Sequence, residues 1–149
     1  VCSSDLQSSG AKASAIVLKK EFTDVKDLLC IDYTSAYSTP SLDKLVRTFV
    51  YDRQGKGSFT VGDEFTANAP IRFETAITTQ ANWKIIDDTH LLLTTGTEQM
   101  TVTIEASGKV AFTSETIEVN SPAYKRIGIS LKEQSKDGYI RLTMRTKQL

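Results

Sequence analysis

Apolar and polar residues alternate with a period of two along most of this chain, and that alternation predicts β-strands. The clearest case is residues 45–53. There Leu45, Arg47, Phe49 and Tyr51 fall on one face, and Val46, Thr48, Val50 and Asp52 on the other. Aromatic and β-branched residues suit such a pleated surface. The segment Gln54-Gly55-Lys56-Gly57 then predicts a short glycine hairpin. Its return strand, residues 58–65, groups Phe59, Val61, Asp63 and Phe65 on one side. Asp63 is the odd member of that face. A hydrogen bond or ion pair at the sheet margin, with Arg47 or Arg53, would satisfy it.

The pattern extends in both directions. Residues 15–22 and 27–33 predict two strands separated by a polar turn at 23–26. The run Leu28-Leu29-Cys30-Ile31 is continuously apolar, which predicts cover on both faces for part of the strand's length. Residues 38–41 form a loop broken by Pro40, and residues 66–70 read as a turn. Further strands follow at 71–79, 83–86, 91–95, 99–106, 110–117, 124–132 and 139–146. Ser107-Gly108, Ser121-Pro122 and Asp137-Gly138 punctuate them. Residues 71–79 place Ile71, Phe73, Thr75 and Ile77 together. About ten to twelve short strands at spacings of roughly 8 to 12 residues, with no helical periodicity, predict an all-β fold. We expect an antiparallel two-sheet β-sandwich. A closed barrel is the alternative that periodicity does not separate from it.

The chain has 149 residues, which suits one domain over residues 13–149 behind a disordered lead-in at 1–12. Residues 1–6, Val-Cys-Ser-Ser-Asp-Leu, connect to no pattern and resemble the translation of a sequencing adapter. We read them as an artefact in front of an N-terminally truncated gene fragment. A natural polar linker is the alternative. Without Cys2, Cys30 is a lone thiol in an apolar run, where a buried, inert role is the default. Lys plus Arg equals Asp plus Glu, 18 against 18, so no net field draws in nucleic acid or an acidic membrane. No apolar run approaches the roughly 18 to 20 residues of a membrane span.

Candidate chemistry is sparse. His90 is the sole histidine, and a triad or zinc site needs more partners than it has. It reads as a solvated turn residue. Asp87 and Asp88 lack the alternating spacing of a calcium loop. Asp63 and Glu64 are neighbours on a strand and point to opposite faces, so they make no glycosidase pair. Trp83 and the tyrosines suit either core packing or a sugar-stacking platform, and Trp83 beside Ile85 and Ile86 favours the core. Lys19, Lys20, Arg47, Arg53, Lys56, Lys125, Arg126, Arg141 and Arg145 read as a solvated exterior. The sharper alternative is that several converge on carboxylate or sulfate groups of a glycan. Gly55 and Gly57 have no helix after them, so they form no phosphate loop.

One stretch carries a resemblance. Asp32, Thr34, Ala36 and Tyr37, then Arg47 and Phe49, Gly55 and Gly57, and finally Val61, Asp63 and Phe65 are similar to the start of the C-terminal β-sandwich of heparinase II/III-like polysaccharide lyases. The resemblance implies a parent with an N-terminal α/α toroid that cleaves uronic-acid-containing polysaccharide by β-elimination. In such a parent a base removes the C5 proton, neutralisation of the uronate carboxylate stabilises the charge, and a Tyr or His serves the leaving oxygen. The residues with those roles belong to the toroid and to the sheet region before this motif. No catalytic, cofactor-binding or metal-binding residue is therefore carried over. Asp32, Thr34, Ala36, Tyr37, Arg47, Phe49, Asp63 and Phe65 are read as structural. The implied partners are the missing toroid and, for the parent, an acidic polysaccharide, in the periplasm or outside the cell. The implied fragment is inactive and buttresses the toroid. It should show an exposed apolar patch and an unpaired sheet edge. The competing reading is a free-standing secreted carbohydrate-binding or adhesive sandwich, with Trp83 or tyrosines exposed. A structural immunoglobulin-like module would show neither feature.

Overall fold

A computed structural model describes residues 14–118 and 123–147. The lead-in and the Ser121-Pro122 break lie outside the described residues. Among the described residues the strands are β1 (Ile16–Phe22), β2 (Lys26–Asp32), β3 (Leu42–Asp52), β4 (Ser58–Ile71), β5 (Glu74–Thr79), β6 (Asn82–Asp87), β7 (His90–Thr95), β8 (Glu98–Ala106), β9 (Val110–Ile117), β10 (Tyr124–Leu131) and β11 (Ser135–Lys147). A single 3-10 turn, Thr34–Ala36, lies between β2 and β3. The strands form an eight-stranded sheet in the order β1-β2-β3-β4-β11-β8-β7-β6 and a three-stranded sheet in the order β5-β10-β9. Every pairing is antiparallel. The predicted two-sheet sandwich is the observed architecture.

The core is the sum of the alternating faces. Phe65, Ile140, Leu142, Val102, Ile104, Leu91 and Leu93 come from the large sheet, and Ile77, Ile127, Ile129 and Leu131 from the small one. All are buried in one cluster. The small sheet therefore covers β4, β11, β8 and β7. The hairpin at 54–57 forms as predicted. Gly55 and Gly57 take φ of 60° and 75°, a conformation that costs glycine little. The two faces predicted for β3 and β4 meet in register: Leu45 opposite Phe65, Arg47 opposite Asp63, Phe49 opposite Val61 and Tyr51 opposite Phe59.

Three local expectations are corrected. Residues 66–70 are not a turn, because β4 runs on to Ile71. The irregularity persists as register shifts: residues 67–70 of β4 bulge out of the β11 ladder between the Thr66–Asp137 and Ile71–Ser135 pairs, and β3 shifts between Leu42 and Lys44. Pro70, near the strand end, then costs little pairing. Asp137-Gly138 is likewise inside β11. The chain turns earlier, at 132–134, because it must cross from the small sheet to the large one. Finally, β2 is half-buried along its apolar run rather than covered on both faces. Cys30 is accordingly half-buried, with the Thr48 hydroxyl 3.5 Å from its sulfur.

Candidate functional site

The motif residues converge on one buried carboxylate. Asp63 is 2% exposed, in the middle of the sheet rather than at its margin as expected. Four hydrogen bonds reach it. Arg47 donates from Nε to Oδ1 at 2.6 Å and from Nη2 to Oδ2 at 2.7 Å. The Tyr33 hydroxyl donates to Oδ1 at 3.0 Å, and the Thr75 hydroxyl to Oδ2 at 2.8 Å. A buried charge must be paired in this way to persist. Register explains the Arg47 contact, since the two residues are directly opposite on β3 and β4. Arg53, the other partner considered, pairs instead with Asp27 across β2 and β3.

The 3-10 turn locks this network to the chain above it. Asp32 Oδ1 accepts from the Thr34 amide at 3.0 Å and its hydroxyl at 2.6 Å. These bonds, the side-chain one foremost, hold the Asp32 carboxyl below its usual range. The Thr34 hydroxyl accepts from the Leu45 amide at 2.7 Å. Ala36 is buried, which its small side chain permits. Tyr37 meets the Tyr33 ring edge-on at 5.8 Å, and the Arg47 guanidinium lies 5.3 Å from the centre of that ring. Burial, followed by the Asp63 charge, pushes the Tyr33 hydroxyl well above the ordinary tyrosine value. Phe65 stacks on Phe73 at 4.5 Å, and Phe49 on Phe59 at 6.4 Å. Every motif residue thus has an identified place in the packing.

Tyr33 and Thr75 were not anticipated as partners of Asp63. Both left a signal. Tyr33 sits inside the motif between Asp32 and Thr34, and Thr75 is the polar member of an otherwise apolar face, as Asp63 is of its own.

The other candidates separate. His90 Nδ1 lies 2.9 Å from Asp87 Oδ1 at the β6–β7 turn. The Thr89 amide, then His90 and the Thr89 hydroxyl, lower the Asp87 carboxyl to about 2. Among the described residues no three His, Cys, Asp or Glu side chains are placed to hold a metal ion. Several of the basic residues are engaged in separate ion pairs or lie on distant strands. Arg126 bridges Glu74 and Glu115 at 2.6 and 3.4 Å, and Arg141 meets Glu105 at 3.0 Å. Lys19 and Lys20 lie on β1, at the far edge of the large sheet. Trp83 is partly buried against the core. Glu64 is exposed where Asp63 is buried, as neighbours on a strand require. No helix among the described residues is long and apolar enough to cross a membrane.

No protein-family model and no curated protein matches the sequence. Solved structures do match its fold. A heparinase III structure superposes with a TM-score of 0.68 at 17% identity, over 88% of this chain and 21% of that one. The heparan sulfate lyase HepC from Pedobacter heparinus superposes with a TM-score of 0.70 at 14% identity, over 91% of this chain and 22% of that one. The chain spans about a fifth of the length of the structures it matches. Among the described residues, the eleven strands in two antiparallel sheets have the fold of a β-sandwich found within heparinase III structures.

Proposed function

We propose that this chain is the C-terminal β-sandwich of a heparinase II/III-like polysaccharide lyase, a non-catalytic part that buttresses an N-terminal α/α toroid. The parent acts on an acidic, uronate-containing polysaccharide by β-elimination, in the periplasm or outside the cell. The observation that carries the reading is the open edge of the large sheet. Among the described residues strand β1 pairs only with β2, and all seven of its residues are exposed. Ile16, Val17, Leu18 and Phe22 are 66%, 55%, 50% and 66% exposed. A long apolar edge of this kind invites aggregation unless something covers it. The much longer matching chains supply a natural cover, the remainder of the same polypeptide. A free-standing glycan-binding module would have well-covered edges, which β1 does not fit.

The test is to read the frame upstream of Gln7 in the source DNA. A toroid-like helical region joining there supports the proposal. The full-length product should then release unsaturated uronate from heparan sulfate, followed by ultraviolet absorbance, while the 149-residue chain alone releases none. An initiator Met and signal peptide directly before Gln7 would overturn it.

A further inference from the structure

Among the described residues three glycines lie inside strands: Gly62 in β4, Gly128 in β10 and Gly138 in β11. Packing demands two of them. A Cβ on Gly128 would collide with the Thr113 hydroxyl and the Glu74 carboxylate, and one on Gly138 would come within 2.6 Å of Ser107 Oγ. Gly62 is different. A Cβ there would meet only the Arg141 side chain, at an ordinary 3.7 Å, and the backbone is not left-handed. Glycine weakens a strand interior and often marks the close approach of another molecule. Among the described residues nothing obstructs a Cβ at position 62.

Gly62 lies in an open, shallow groove of about 440 Å³ formed by β3, β4 and β11, with the Arg141 side chain along one side of it. That volume is in the range of small-ligand sites. Thr48 and Thr60 flank the notch, with Glu64, Tyr139 and Arg141 along its rim. Register sets Glu64 beside Tyr139 and Gly62 beside Arg141. The Tyr139 ring is 39% exposed, and the Arg141 guanidinium lies 5.8 Å from its centre. Arg141 is also 3.0 Å from Glu105, so its charge is compensated, and Glu64 adds a carboxylate. The groove therefore has no positive excess to favour a polyanion. The Thr60 hydroxyl shares a 3.1 Å hydrogen bond with the Thr143 hydroxyl and the Thr48 hydroxyl lies 3.5 Å from the Cys30 sulfur, and each keeps further hydrogen-bonding capacity. With the Glu64 carboxylate and the Arg141 guanidinium they surround a shallow notch next to an aromatic side chain.

We propose that this groove binds an uncharged hexopyranose oligosaccharide. One sugar ring packs on Tyr139 over the Gly62 notch, and its hydroxyls meet Thr48, Thr60, Glu64 and Arg141. The assignment does not depend on the lyase reading.

The experiment is a titration of the 149-residue chain, followed by amide chemical shifts. The probes are short uncharged oligomers of glucose, mannose and galactose, with a heparan sulfate oligosaccharide as the charged comparison. At least one uncharged oligomer should shift the amides of Thr48, Thr60, Gly62 and Arg141. Tyr139→Ala should weaken its binding by about tenfold, the loss of one ring contact. Gly62→Val should abolish binding while Tm stays the same or rises, because valine favours a strand. If Gly62→Val fails to fold, Tyr139→Ala still decides. The proposal is overturned if no uncharged oligomer shifts those amides, or if Tyr139→Ala leaves the affinity unchanged. A response to heparan sulfate alone that fades with added salt would also overturn it.

Discussion

The two wings of the large sheet obey the same ladder rules but differ in what lies over them. Under the small sheet, Leu91, Val102 and Ile140 are fully buried. At the other end, every residue of β1 is exposed and β2 is only half-buried. Burying a Leu, Ile or Val side chain contributes about 1.5–3 kcal/mol, and β1 forgoes most of that on both faces. The covered wing thus holds the fold, and the open wing is held mainly by backbone pairing. Asp63 stands at the boundary. Its partners from Tyr33, β3 and β5 tie the start of the open wing to the covered core.

The largest expected effect is at that boundary. Asp63→Ala removes the partner of a partly buried arginine and strands the Tyr33 and Thr75 hydroxyls. It should cost about 3–5 kcal/mol in urea unfolding. A cost under about 1 kcal/mol, the worth of a surface pair, would break the claim that the network joins the two wings.

The next prediction sets the wings against each other. Ile140→Ala should cost about 2–5 kcal/mol, whereas Leu18→Ser should change stability by no more than about 0.5 kcal/mol. Equal costs in the same unfolding assay would mean that β1 is covered in solution by something other than this chain's own sheets.

Smaller still is Tyr33→Phe, which loses one hydrogen bond of about 1 kcal/mol. Its pH dependence sharpens the prediction. Folding raises the pKa of the Tyr33 hydroxyl, chiefly by burying it, so the folded state keeps a proton that the unfolded state releases above about pH 10. The contribution of Tyr33 is therefore present below that pH and lost as pH rises beyond it. Alkaline unfolding of the wild type should converge on that of the variant. The opposite window applies to Asp27, Asp32 and Asp87, whose carboxyls are lowered by the Arg53 hydrogen bond, by Thr34 and by the Thr89 amide respectively. Their contributions are present above about pH 4 and lost as pH falls. An acid titration of Asp87→Asn, followed by the denaturation midpoint, should show the smallest difference, closing between about pH 4 and 2.

Alternation alone made β3 and β4 legible, together with the hairpin between them and the membership of their faces. Asp63 stood out because it broke an apolar face. Its depth did not, because depth depends on β5 and β10 folding back over β4, a contact remote in sequence. Thr75 stayed hidden as a partner because it lies on the other sheet, and no ladder register links β5 to β4. Remoteness in sequence also led residues 66–70 to read as a turn, since the ladder partners that keep β4 extended lie at Leu42 and Ser135. In the same way, the groove at Gly62 takes its walls from three strands that share no local pattern.

What the sequence by itself determined was therefore local: an all-β chain, its hairpin, the faces of its strands and a charge-neutral composition. These follow from a two-residue repeat and turn chemistry that act between near neighbours. Only the tertiary structure decided which faces are covered. Sheet order placed β1 at an open edge, set Asp63 in the core and laid Tyr139 and Arg141 beside Gly62. Strand order and the stacking of one sheet on another come from contacts between distant residues, which no local period encodes.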